Sequence, residues 1–524
     1  MITDMQEKCS SKIKRPRIGL VLCILIAVLS RTVMLGKYPG GVSADEAFAG
    51  YEAWSVINYG TDSWGYANPV YFTVWGSGMS VLNSYLMMPF IAIGGLNTVT
   101  IRLPQMIFGV LSVYILYRLL KKTSSEQTAL WGAFLLAISP WHIMTTRYGM
   151  DANLAPAFIL LAVYFGVLGL DREKYLVVSA VFWGLSLYTY ATVWTFVPVF
   201  LGIAIIYCLW THKVVFSRWI VSAGAVLFVF ALPLLLFVAV NIGIIPEIRT
   251  TFLSIPKLVV FRGDEMNLRD LLSNVLLAVK LFITQNDYNM WNSIPYFGIY
   301  YLFSTPFIII GVIGALINTV KSLRQRSFSF DFLLLAWVVV AAGFAVLQKT
   351  NINRINVIHM AMFILLAKGI MCFVHKIKQY ASPVLMVAYA VSFVLFGCYY
   401  FTAYQDMISE RQLAGAGEAL QYADMLYQSG DYEIIHVTGQ LRHSQVLLYT
   451  QYPTDRYIEE VEWKNYPDKY LVAKSFGNYY WDDEDETLQE TGLYVIRKAE
   501  AEVFDEAGYT IEPFKYCAVA YKER

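Results

Sequence analysis

Long apolar runs joined by short basic or polar connectors fill residues 1–402. Crossing a hydrocarbon core of about 30 Å takes about 20 helical residues. Runs near that length lie at 18–36, 79–96, 101–120, 127–145, 153–170, 175–192, 193–211, 218–240, 297–320, 331–348, 355–373 and 382–402. The pattern predicts a polytopic α-helical membrane protein. From residue 403 onward the pattern changes. A helical period over 411–428 is followed by strand-like stretches at Glu433–Val437, Tyr470–Ala473, Leu493–Arg497 and Tyr516–Tyr521. These predict a small soluble α/β domain.

Charge settles the parity of the spans. Basic clusters lie at Lys8/Lys12/Lys14/Arg15/Arg17, Lys121/Lys122, Arg172/Lys174, Lys213/Arg218, Lys321/Arg324/Arg326 and Lys376/Lys378. All six fall on one side only if one run between 36 and 101 fails to span. The run 79–96 is the weakest, with Asn83, Ser84 and Pro89 inside it and Gly94-Gly95 at its end. It reads as a re-entrant or interfacial helix. The expected architecture is a cytoplasmic segment 1–17, a body of about 11 spans over 18–402, and an extracytoplasmic domain 403–524. Its outer segments are a long loop 37–100, a short loop Arg147–Asn153, and a stretch Asn241–Tyr296. Within the last, Leu268–Thr284 suits a helix lying flat on the outer leaflet.

Composition agrees. The chain is 57% hydrophobic and only 15% charged. Soluble domains are about 25% charged, so an ordinary soluble enzyme and a disordered chain are excluded. The net charge of +1 hides a division: residues 1–402 carry 29 basic and 16 acidic side chains, residues 403–524 carry 11 and 23. Nucleic acid is not an expected partner. Six scattered cysteines form no CxxC, so no zinc site or disulfide frame is expected, and no metal or cofactor is assigned. The run Asp482–Glu486 reads as a solvated loop, without the spacing of a calcium loop. No P-loop, HExxH or GxSxG stands in a fitting context.

Two outer segments carry candidate chemistry. Asp45-Glu46 opens a helix in the string GGVSADEAFAGYEAW, with Ser43 as its cap and Glu46 three residues on, as in a capping box. Paired acids in a first turn simply favour the helix dipole. Equally, a carboxylate at a low-dielectric boundary can accept a proton from an attacking hydroxyl. A phosphate leaving group then asks for cations rather than a second acid. The loop SPWHIMTTRYGMDANLAP places His142, Arg147 and Asp151 near the same boundary, and KTNINRINVIHM adds Arg354. Arginine grips phosphate through its fork of donors, or snorkels to headgroups. His359 reads as a packed histidine. The outer-loop aromatics from Tyr51 to Trp75 read chiefly as a membrane-interface belt, some of them suited to stacking on sugar. Ionisable groups within spans are few, which argues against a proton-coupled transporter.

The order of these features resembles the GT-C superfamily of membrane glycosyltransferases. The nearest branch is that of bacterial proteins related to protein O-mannosyltransferases and lipid A aminoarabinose transferases. The resemblance runs over residues 15–402. It implies inverting transfer of a sugar from a polyprenyl-phosphate donor to a lipid, glycan or protein acceptor on the outer face. Asp45 matches the family's base and Glu46 the second acid of its DE pair. Arg147 matches a basic residue near the donor phosphate, Asp151 an acid of the second outer loop, and Arg354 a late basic residue. One departure stands out: TVWGSGMS replaces the Lys-Pro step of the aminoarabinose transferases. The alternatives are a lipid-linked-saccharide flippase, and a scaffold working through its acidic tail.

Overall fold

The computed structural model describes the backbone of residues 2–261, 270–347, 350–377, 380–481 and 488–523, with side chains from residue 17 onward. The acidic run at 482–486 and the start of the predicted helix at 268–269 lie outside the described residues. Seven described helices are long and apolar enough to cross a membrane: Thr98–Thr123, Asp151–Gly169, Val193–Trp210, Arg218–Asn241, Leu302–Arg324, Asn356–Ile377 and Ala381–Tyr400. Helices also stand over the other predicted spans, at Ile2–Thr32, Glu126–Ile138, Lys174–Ser186 and Phe330–Val346. The predicted span 127–145 is in fact two helices. Ser139 leaves the first in extended backbone and caps the second, Pro140–Thr145, where proline takes the first turn.

The run at 79–96 becomes Leu82–Gly94, 13 residues with Pro89 inside. At 1.5 Å per residue it reaches only about 20 Å, too short to span. The helix in the third outer segment is Leu271–Thr284. Leu272, Leu276, Val279 and Ile283 form one exposed stripe at helical spacing along it, as an interfacial helix requires. Helices 305–324 and 356–377 touch backbone to backbone. A Cβ on Gly369 would lie 1.8 Å from the Phe307 carbonyl oxygen, and one on Gly311 2.0 Å from that of Leu365. Small residues at such crossings let helices pack in a membrane. Lys368 is neutralised by an ion pair with Asp331, which also accepts from Asn318.

The C-terminal domain is a seven-stranded mixed sheet with helices. Its strand order is Thr510–Pro513, Cys517–Tyr521, Gly492–Arg497, Ile434–Val437, Tyr479–Tyr480, Ala473–Phe476, Glu462–Trp463. Ile434–Val437 pairs in parallel with both neighbours, and the other pairings are antiparallel. The strand expected at Tyr470–Ala473 starts at Ala473 instead. Asn465 and Asp468 hold the preceding residues in a turn: Tyr470 N–H donates to Asp468 Oδ1 (2.9 Å) and Asn465 Nδ2 to the Tyr470 carbonyl (2.9 Å).

This domain docks on the loop 37–100 rather than standing apart. Gln445 Nε2 donates to the Val42 carbonyl (2.7 Å), the Tyr51 hydroxyl to the Tyr452 carbonyl (2.7 Å), and the Thr454 hydroxyl to Ser55 Oγ (2.9 Å). Tyr51 shares the domain's core with Leu447 and Tyr457. At Gly41, φ is +76° and a Cβ would lie 2.7 Å from the Gln412 carbonyl oxygen. Only glycine tolerates both the conformation and the approach.

Candidate functional site

Ser43 is extended (φ −71°, ψ 158°), and its hydroxyl accepts from Glu46 N–H at 3.3 Å, fixing the start of helix Ala44–Tyr59. Successive helical residues point about 100° apart, so the two adjacent acids meet different surroundings.

Glu46 points inward and is fully buried. Its Oε1 accepts from Arg102 Nε (2.7 Å) and from Gly149 N–H (2.8 Å), its Oε2 from Arg102 Nη2 (3.0 Å). The Arg102 guanidinium also donates to the carbonyls of Leu35 (3.1 Å), Pro39 (2.9 Å) and Gly41 (2.8 Å). All five of its N–H groups are thereby engaged. The cluster ties the end of the first helix, Glu46, helix Thr98–Thr123 and the loop Arg147–Asn153 into one knot. Glu46 does not act as a capping-box acid, because Arg102 and Gly149 take both its oxygens.

Asp45 points the other way and keeps part of its surface exposed. Its Oδ1 accepts from the Trp75 indole N–H at 2.9 Å. Trp75 lies in the turn between the short antiparallel strands Tyr71–Phe72 and Met79–Ser80. The far strand of this hairpin offers Ser80 N–H to Asp151 Oδ2 (3.3 Å), whose Oδ1 accepts from Ala152 N–H (2.7 Å). Asp151 is half-buried within reach of the Asp45 charge. One short hairpin thus brings together two carboxylates from separate loops.

The predicted cations divide. Arg147 is fully buried. It donates to the carbonyls of Ser30 (3.0 Å), Val33 (2.8 Å) and Tyr38 (2.8 Å), and its guanidinium stacks near Tyr400 and Phe401. It finishes the first span's C-terminal carbonyls, as a cation at a helix end does. His142 is also buried; its Nδ1 accepts from Arg31 Nη2 at 2.7 Å. Arg354 keeps partial exposure just before helix Asn356–Ile377. That helix reaches the second outer loop through Asn356 Nδ2, which donates to the Ala152 carbonyl (3.1 Å). His359 is packed against Trp141 and bonded to the Tyr300 hydroxyl (2.6 Å), matching its reading as a core histidine.

Sequence reasoning misses Arg102, the part played by Trp75, and a buried acid pair. Arg102 in IRLPQM carries no local mark of the carboxylate it meets. Trp75 is one of many outer-loop aromatics, and nothing local distinguishes it. The pair is Glu52 with Asp62, both fully buried. Glu52 accepts from Ser63 N–H (2.8 Å) and from the Ser63 hydroxyl. Asp62 Oδ1 accepts from the Trp64 (3.0 Å) and Tyr66 (2.8 Å) N–H groups, while its Oδ2 has no hydrogen-bond partner. Burial first, then the Asp62 charge, pushes the Glu52 carboxyl up; burial pushes Asp62 up as well. Among the described residues, no group of three or more His, Cys, Asp or Glu side chains could hold a metal ion.

Residues 80–237 match the family model described as dolichyl-phosphate-mannose-protein mannosyltransferase. The fold is similar to that of ArnT from Cupriavidus metallidurans bound to undecaprenyl phosphate: TM-score 0.55, 13% identity, 96% of this chain and 99% of that one. The apo state of the same protein gives TM-score 0.54 at 12% identity, over 98% and 100%. The oligosaccharyltransferase AglB from Archaeoglobus fulgidus is matched at TM-score 0.46 and 14% identity, over 84% of this chain; the chain spans 64% of its length. No curated protein matches the sequence. The likeness to ArnT supports the fold expected over residues 15–402 and extends over the C-terminal domain as well.

Proposed function

We propose that this chain is a GT-C membrane glycosyltransferase that moves a sugar from a polyprenyl-phosphate donor to a lipid, glycan or protein acceptor at the outer face of the membrane. The observation that carries the reading is the half-open carboxylate of Asp45, fixed at one oxygen by Trp75 and set beside Asp151. Asp45 accepts the acceptor's proton as the acceptor oxygen attacks the anomeric carbon. The bond to phosphate breaks on the opposite side, so configuration inverts. Asp151, beside Asp45, orients the acceptor.

Arg354, with the start of helix Asn356–Ile377 behind it, meets the charge left on the phosphate. Arg147, His142 and Glu46 act through the fold, since each is buried and bonded to buried groups. The basic inner connectors support placing the acidic domain and both outer loops outside. Membrane lipids and the polyprenyl chain contact the body.

The test is transfer in liposomes holding the purified protein and polyprenyl-phosphate sugars, followed by mass spectrometry of the products. Asp45→Asn is expected to lower turnover by about 10²–10⁴-fold while retaining bound donor and an unchanged melting temperature. Full transfer by that variant overturns the base. Lipid translocation without transfer, by wild type, favours the flippase reading instead.

A further inference from the structure

Trp75 is an anomaly. Its backbone is left-handed (φ +61°, ψ −4°), in a short 3-10 turn. A bulky side chain rarely adopts that conformation, and it persists only where surroundings impose it. The surroundings here come from the C-terminal domain. Leu471 N–H donates to the Trp75 carbonyl at 2.9 Å. The next residue, Gly76 (φ +81°), admits the domain so closely that a Cβ would lie 2.7 Å from the Asp468 carbonyl oxygen. The indole stands edge-on to Phe48 (ring centroids 4.9 Å) and to His443 (5.9 Å). His443 in turn contacts Phe48 (5.2 Å) and Trp463 (5.3 Å). Burial holds the His443 imidazole down at about 3, so it serves as a neutral packing ring. From inside this cage the indole N–H reaches Asp45 Oδ1.

We propose that Trp75 is a positioning residue for Asp45, and that the C-terminal domain, by holding Trp75 in its left-handed turn, is a working part of the transfer site. The inference rests on Asp45 being the base. The chain of contacts runs from the Leu471 N–H, Trp463 and His443 through Trp75 to the carboxylate. The indole hydrogen bond fixes one carboxylate oxygen and so orients the other toward the acceptor hydroxyl. It also favours the ionised form, the form a base needs. The domain therefore gates catalysis without touching the reacting atoms.

Trp75→Phe keeps an aromatic ring and deletes the donor. In the full-length protein it is expected to lower kcat about tenfold, leave the donor KM within about twofold, and move the acidic limb of the pH–rate profile upward. A merely structural role would not move that limb. Trp463→Ala, which loosens the cage from the domain's side, is expected to act in the same direction. The double variant is expected to be no worse than Trp75→Phe alone, because both act through one bond. Should Trp75→Phe fail to fold, the acidic limb of Trp463→Ala decides. An unmoved limb in these variants, with Asp45→Asn still inactive, overturns the inference and leaves the base assignment standing. Full additivity of the two effects removes the domain from the chain. An active Asp45→Asn sinks the reading beneath both.

Discussion

The two acids of Asp45-Glu46 share a helix turn and differ in almost everything else. Glu46 sits in a sealed knot with Arg102 and Gly149 N–H, both oxygens filled and no surface left. Asp45 sits at an open edge, held through Oδ1 by a residue whose own conformation another domain imposes. One carboxylate is part of the frame and the other is held out from it. A buried charge with every partner in place has no capacity to change protonation or take a ligand. A half-exposed one, fixed but not enclosed, has that capacity. The same contrast separates Arg147, engaged by three backbone carbonyls, from the partly exposed Arg354.

The sharpest way to break this contrast is to remove each charge in turn. Glu46→Gln leaves Arg102 buried without its counter-charge. It is expected to cost about 3–5 kcal/mol, read as a large fall in melting temperature or loss of the folded protein from detergent. Asp45→Asn is expected to leave the melting temperature within about a degree or two while lowering turnover about 10²–10⁴-fold. If Glu46→Gln melts like wild type and still transfers poorly, Glu46 belongs to the chemistry and the division fails.

A smaller effect tests the knot from its other side. A Cβ on Gly149 would lie 2.8 Å from the Ile101 carbonyl oxygen and 3.2 Å from Glu46 Cγ. Gly149→Ala is expected to cost about 1–3 kcal/mol, measured by thermal unfolding. Transfer should fall only as far as folding does.

The smallest effect concerns pH. Burial, above all, lifts Glu52 to about 8 and Asp62 to about 7. The folded protein therefore binds more protons than the unfolded chain between the ordinary carboxylate range and these raised values. The pair's contribution to stability is full only at or below the ordinary range. It is lost as pH rises from there through the raised values. Tyr85 and Tyr457 face the pair, and Arg249 faces Asp62 and partly offsets the cost. Glu52→Gln is expected to flatten the fall in melting temperature over this range. An unchanged slope would place the extra proton elsewhere.

Much of this frame is readable from the pattern of residues. The apolar runs become helices because membrane-length hydrophobic segments admit no other hydrogen-bonding solution. The short run 79–96, with Pro89 and its terminal glycines, becomes the 13-residue helix Leu82–Gly94. Ser43 caps where its side chain allows. Strands at Ile434–Val437, Gly492–Arg497 and Cys517–Tyr521 follow their apolar stretches within a residue or two. The break at Ser139 and the late start of the strand at Ala473 are less visible, since each turns on side chains competing for the backbone.

The difference in burial between the two acids is not readable from their local sequence. Two acids in a first turn, or an arginine in an outer loop, look the same whether the charge is sealed or open. What separates Glu46 from Asp45 is Arg102, which arrives from another helix, and the hairpin of Trp75. What holds Trp75 is Leu471, which belongs to the C-terminal domain. The sequence alone determined which segments are apolar, which ends are capped and which loops carry charge, because those depend on near neighbours along the chain. Only the tertiary structure decided which charges are sealed in the interior and which keep exposed surface, because burial is a property of contacts between distant segments.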